Sequence, residues 1–364
     1  MEPILAVWSG EYLDGTIISN ASLGTYVQFA LDELEFLMGD ETTTQGARRI
    51  QLGYPEPFPI NYVEVGNEDN LNKGLSSYNN YRFPAFYNAI KAVYPNITVI
   101  ASTIAITFPG DASGDYHQYT RPDQFVSQFS MFDNFTAEHK TLVGEYATIQ
   151  PNSPTEVAAN FSEPRSKWPF WIGSVAEAVF LIGIERNSEA IIGASYAPTL
   201  QNLNSYEWAP DMISFQADTS KDVLSTSHHM VQLLSNTRIA ETLPITGATY
   251  GPAYYVAGTG ASGSRILKTA VYNSTGDYAM EVTFDGVGPG ATATLTVLTA
   301  PDANSYNSVG SDVVRKDVTT LIAGAGGEIC FSLPELSISV LEVAAANVKT
   351  GYGKKSSRVM PKRL

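Results

Sequence analysis

Two glutamates stand where strands should end. Tyr62-Val-Glu-Val65 reads as a strand, and Gly66-Asn67-Glu68 follows it at the point where the chain should turn outward. Thr141-Leu-Val143 is a second apolar run, and Gly144-Glu145-Tyr146-Ala147 places another carboxylate just past it. Carboxyl groups delivered from two strands suit the hydrolysis of a glycosidic bond. One protonates the leaving oxygen, and the other acts on the opposite side of the anomeric carbon, about 5 to 5.5 Å away in retaining enzymes. Either glutamate alone would read as a surface loop residue; the pair of similar strand ends gives the reading its weight. Glu64, Glu177 and Glu185 fall inside a strand or a helix, where solvent-facing or ion-paired roles are expected.

Other chemistries lack their residues. Four histidines, two of them the pair His228-His229, show no HExxH spacing, and neither a G-x-S-x-G elbow nor a phosphate-binding loop occurs. Cys330 is the single cysteine, which rules out an intrachain disulfide and a thiolate metal cluster. In Asp115-Tyr-His-Gln-Tyr119, Tyr119 could donate a hydrogen bond to a nucleophile and His117 could line a pocket floor; plain packing inside a barrel is the more ordinary role of each.

The elements that would position these groups alternate along the chain. Apolar runs at Ile4 to Trp8, Tyr62 to Val65, Thr98 to Ser102, around Tyr116, Thr141 to Val143 and Ala190 to Ala194 read as strands, separated by helical periodicity. Phe83, Phe86, Tyr87, Ile90 and Val93 recur at helical spacing and predict one buried stripe, ended by Pro95. A second helix over Ile172 to about Ile184 places Val175, Val179 and Ile182 on one side. This is the pattern of βα units around a parallel sheet, whose C-terminal strand ends carry the active face in a barrel. Past about Leu243 the chain turns to period-two stretches such as Ala293 to Leu298 and Leu336 to Leu341, which predict an antiparallel β-sandwich. Three regions follow: a barrel over 1–235, a sandwich over 236–346 and a basic, disordered tail over 347–364 with six Lys or Arg in its last sixteen residues.

A length of 364 residues with 44% hydrophobic and 16% charged composition describes a globular chain with a large core. The formal net charge of −15 disfavours nucleic acid and anionic membrane surfaces, which require Lys- and Arg-rich faces. No segment approaches the roughly 18 apolar residues of a membrane span. The N-terminus lacks the basic region and the about 7 to 15 apolar residues of a signal peptide. Sequons at Asn20, Asn96, Asn134, Asn160 and Asn273 would accept glycans in a secretory pathway.

Tyr62-Val-Glu-Val-Gly-Asn-Glu68 resembles glycoside hydrolase family 51, the α-L-arabinofuranosidases, in their fungal form. Glu2 to Trp8, Asp115 to Tyr119, Val143 to Ala147, Gly183 to Asn187, Ala194 to Pro198 and Trp208 to Asp211 resemble the family pattern in the same order, over about residues 2 to 345. The resemblance implies Glu68 as acid/base, Glu145 as nucleophile, Asn67 on the sugar 2-hydroxyl, Tyr119 orienting the nucleophile and His117 lining the site. It further implies release of terminal arabinofuranose from arabinoxylan or arabinan with retention, no metal or organic cofactor, and a secreted full-length parent. Some members are described as endoglucanases, the alternative activity.

The resemblance also implies a departure. Family members carry two further barrel strands before the segment that begins here at Glu2, so the expected fold is an incomplete (β/α)8 barrel, about strands three to eight, followed by the sandwich. An open parallel edge exposes backbone groups and apolar surface. A truncated, inactive or vestigial carbohydrate-binding product is the alternative of a different class.

Overall fold

The computed structural model describes residues 2–205, 208–348 and 356–361. The chain divides into two compact units. One comprises Met1–His117, Phe135–Gly144 and Glu189–Gly193; the other comprises Gln118–Asn134, Glu145–Ser188 and Ala194–Leu364.

Six strands form one sheet in sequence order: β1 (Ile4–Val7), β2 (Tyr62–Val65), β3 (Thr98–Ala101), β4 (Ser113–Thr120), β5 (Thr141–Thr148) and β6 (Ile191–Tyr196). Pairing is parallel from β1 through β4, with Val7 opposite Val65 and Val65 opposite Ala101. Sequential order and parallel pairing are the signature of a βα barrel sheet. Among the described residues β1 and β6 stand at the two edges of this sheet.

In the first unit, β2 buries Val63 and Val65 while Glu64, on the opposite parity, stays half-buried. The helix Phe83–Val93 begins with Pro at its first turn and stops at Tyr94, before Pro95. Phe83, Phe86, Tyr87 and Ile90 join one core with Val63, Val99 and Ala101 from the sheet and Leu23 and Leu34 from the helix Asn20–Met38. Burial stabilises by about 1.5 to 3 kcal/mol for each such side chain. Val93 departs from the expected stripe: it is 56% exposed, because it lies in the last turn where the helix runs out past the sheet-facing contacts.

In the second unit the helix Trp171–Arg186 is buried around nearly its whole circumference, from Trp171 to Ile184, not only along the side of Val175, Val179 and Ile182. The sandwich contains a six-stranded sheet, whose core strands include Ala253–Thr259, Arg265–Val271, Thr292–Thr299 and Ser337–Val343, and a four-stranded sheet. Tyr255, Leu267, Leu295 and Leu341 of the larger sheet share a core with Met280, Val282, Ile329 and Val359 of the smaller. The segment expected to be a disordered tail enters this core. Ser357–Pro361 form a strand that pairs antiparallel with Tyr278–Phe284 and buries Val359. Alternation supplies the physical reason: Arg358 points out while Ser357 and Val359 point in, a period-two pattern hidden by the flanking lysines. Residues 349–355 and 362–364 of that segment lie outside the described residues. Among the described residues no helix is long and apolar enough to cross a membrane.

Candidate active site

β2 hands the chain to a tight turn. Gly66 takes φ +89°, and Glu68, unusually for a residue with a side chain, takes φ +50°. A left-handed non-glycine conformation costs about 1 to 3 kcal/mol and persists only where its surroundings impose it. Here a buried network does so. A Cβ on Gly66 would sit 1.8 Å from Asp69 Oδ2, so only glycine fits. Asp69 accepts from Ser9 Oγ at 2.5 Å, from Ser102 Oγ at 2.8 Å and from the Arg82 guanidinium. Arg82, fully buried, also donates to Glu11 Oε2 and to Ser9 Oγ. Burial raises the Glu11 carboxyl and the Arg82 charge opposes that shift.

Glu68 Oε1 lies 3.0 Å from His117 Nδ1, and His117 Nε2 lies 2.7 Å from Asp115 Oδ2. Asp115 is buried and accepts the Gly144 N–H at 2.7 Å. An ionised Asp115 is acceptor-only, so Nε2 carries the proton it receives. In a neutral His117 that leaves Nδ1 as a lone pair aimed at Glu68, the acceptor that a protonated carboxyl requires; in the imidazolium, Nδ1–H donates to the carboxylate. The relay therefore accommodates both states of a general acid/base. Gly144 is required for it, since a Cβ there would come within 2.3 Å of Asp115 Oδ2.

Glu145 lies inside β5, not beyond it, because the strand continues to Thr148. Tyr119 donates its hydroxyl to Glu145 Oε2 at 2.5 Å, a charge-assisted contact when Glu145 is ionised. The Tyr119 ring in turn touches Trp208, centroids 5.1 Å apart. Asp115, His117 and Tyr119 share one parity of β4 and so one face of the sheet. The structure thus brings Glu68 to His117 and Glu145 to Tyr119. Asn67 is exposed and lines, with Glu68, Trp8 and Tyr12, a cavity of about 510 Å³.

Behind β5 stands a group that the sequence misrepresents. Glu177, expected to face solvent or pair with a cation, is buried; it accepts the Thr148 N–H at 2.8 Å and the Ser227 hydroxyl at 2.5 Å. Burial pushes its carboxyl up to about 7, against those two hydrogen bonds. The helix that carries it is buried at every position from Gly173 to Phe180, so Glu177 has no solvent face to turn to. Glu185 is ion-paired as expected, with Lys268 at 2.7 Å. Asp211 is another buried carboxyl, pushed up to about 7 by desolvation.

Glu64, Asp115 and His117 bring three possible metal donors within 4.8 Å of one another. His117 Nε2 faces Asp115 and its Nδ1 faces Glu68. The arrangement suits holding and passing a proton.

Residues 1–137 match the family model described as α-L-arabinofuranosidase 1 domain, and residues 144–337 match the α-L-arabinofuranosidase C-terminal domain. The chain belongs to the α-L-arabinofuranosidase family. It is 39% identical over 350 residues to the probable α-L-arabinofuranosidase A of Aspergillus terreus, and 38% identical to α-L-arabinofuranosidase A of Aspergillus niger. Those alignments cover 94% and 93% of this chain but 52% of each relative, so the chain spans about half the length of the curated relatives it matches. Among solved structures, an arabinose-bound family 51 α-L-arabinofuranosidase, MgGH51, superposes with a TM-score of 0.80 at 30% identity, covering 94% of this chain and 55% of that one. The family 51 enzyme of Thermotoga petrophila RKU-1 shares the fold, with a TM-score of 0.67 at 16% identity over 94% of this chain and 76% of that one.

Proposed function

We propose that the protein acts as a retaining, exo-acting glycoside hydrolase that releases terminal α-L-arabinofuranosyl residues from arabinoxylan, arabinan or a related polysaccharide. The observation that carries this reading is the paired engagement of one strand: on β4, His117 holds Glu68 and Tyr119 holds Glu145. Glu68 protonates the glycosidic oxygen as the bond breaks, while Glu145 attacks the anomeric carbon and forms a glycosyl-enzyme ester. Glu68 then takes a proton from water, which attacks the anomeric carbon and releases arabinose and a free Glu145 carboxylate. Such a double displacement requires the two carboxyl groups about 5 to 5.5 Å apart. Asn67, beside the acid/base, takes the sugar 2-hydroxyl. Secretion of the parent protein is part of the proposal, since a polymeric plant substrate lies outside the cell.

The test is hydrolysis of an aryl α-L-arabinofuranoside by the purified chain, beside Glu145→Gln and Glu68→Gln. Turnover in the parent, its loss in Glu145→Gln, and retained activity of Glu68→Gln on substrates with activated leaving groups support the assignment. A folded, soluble chain without turnover refutes it.

A further inference from the structure

Among the described residues, the buried carboxyl groups are held by donors with one exception. Asp69, Asp115 and Glu177 each accept two or more hydrogen bonds. Asp211 is 1% exposed, and neither of its carboxyl oxygens has a hydrogen-bond partner. The backbone around it leaves little freedom to find one. Met212 donates its N–H to Pro198 O at 3.1 Å, and Leu200–Asn202 pair in parallel with Ile213–Phe215, which fixes the chain just past Asp211. Three residues earlier, Trp208 is tethered to the same segment, its carbonyl accepting from Gln201 Nε2 at 2.8 Å. Pro210 stands between them with its φ locked by its ring. The Trp208 ring contacts Tyr119, whose hydroxyl holds Glu145, and the Arg165 guanidinium lies over the indole, 3.8 Å from the ring centroid.

The titratable groups around Asp211 bring it no donor. Tyr196 of β6 has its hydroxyl pushed well up by burial first, and then by Glu177, Tyr146 and Asp211. His228, on the helix Thr226–Asn236, is lowered by its burial, and its charged neighbours are His229 and Asp312. An ionised Asp211 in this place is a buried charge without compensation, which is costly unless water enters or the chain moves. We propose that Asp211 is a positioning residue: as a neutral carboxyl it packs the base of the segment that carries Trp208 and keeps that ring against Tyr119, and on ionising it draws water in and loosens the contact. The effect on turnover rests on the arabinofuranosidase reading. Burial pushes the carboxyl up to about 7, so the holding form is present at lower pH and is lost as pH rises through that value.

The test follows intrinsic tryptophan fluorescence of the full chain across neutral pH, beside Asp211→Asn, an uncharged isostere, and Trp208→Phe. The expected result is a transition near neutral pH in the parent that both substitutions remove. The parent against Trp208→Phe needs no change at Asp211, and so stands even if the Asn variant fails to fold. On an aryl arabinofuranoside, Glu68 titrates in the parent and in Asp211→Asn alike, so the ratio of their kcat values isolates Asp211. That ratio, variant over parent, should rise about tenfold between about pH 6 and about pH 8. A parent without a transition, a transition that either substitution leaves in place, or a ratio that stays constant with pH overturns the proposal. Fluorescence needs no turnover. A transition tied to Asp211 and Trp208 in an inactive chain refutes the hydrolase reading alone; activity without such a transition refutes this one alone.

Discussion

Glu68 rides a left-handed turn above a buried charged network of Asp69, Arg82 and Glu11, whereas Glu145 lies within regular strand β5, backed by the buried carboxyl of Glu177, which accepts from the Thr148 N–H and the Ser227 hydroxyl. The first carboxyl is held in a conformation its own backbone disfavours, so its support must be stiff and specific, and charge pairs in a dry interior supply that. The second follows the ladder, and needs only that the strand stay in place. Charged support is therefore the more fragile when one member is removed, and Glu177 support is the more sensitive to pH.

The largest expected effect comes from breaking the charged side. Arg82→Ala leaves Asp69 and Glu11 without their cation in a dry interior, and should cost about 3 to 5 kcal/mol in urea unfolding. A loss below about 1 kcal/mol would show that the turn is held by its hydroxyl contacts alone.

On the other side, a Glu177 carboxyl raised from 4.5 to about 7 favours the fold when protonated. Its contribution is fully present below the unfolded value and is lost as pH rises through about 7, because the folded state binds the proton more tightly than the unfolded one. The change is on the order of 3 kcal/mol. Unfolding free energy should fall between pH 4.5 and 7, and Glu177→Gln should flatten that slope. An unchanged slope in the variant would assign the dependence elsewhere, Asp211 first.

The smallest effect sharpens the comparison at the carboxyls themselves. Tyr119→Phe removes one charge-assisted hydrogen bond from Glu145, worth about 1.5 to 3 kcal/mol, and should lower kcat on an aryl arabinofuranoside about 10- to 100-fold with little change in Tm. Equal loss in Tm and kcat would make Tyr119 a packing residue.

The ease with which these parts could be read from sequence follows their range. Tyr62–Val65 was legible to the residue, and the helix Phe83–Val93 in its type and, Val93 apart, its buried stripe, because alternation, helical period and proline act within a few positions. Glu68 was legible as a strand-end carboxylate. The end of β5 was not: Gly144 and Glu145 interrupt the apolar run, yet the strand continues because Gly144 N–H meets Asp115 and Thr148 N–H meets Glu177. Ser357–Pro361 were hidden in the same way, their inward residues being too few to outweigh the surrounding lysines.

By itself the sequence determined the order of strands and helices, the two catalytic candidates and the family, since each rests on local pattern or on ordered motifs. Tertiary structure alone decided that Glu177 is a buried carboxyl, that Arg82 underlies the Glu68 turn, and that Arg165 rests on Trp208. Burial and pairing depend on residues tens of positions away, and a carboxylate or guanidinium has the same letter in water as in a core.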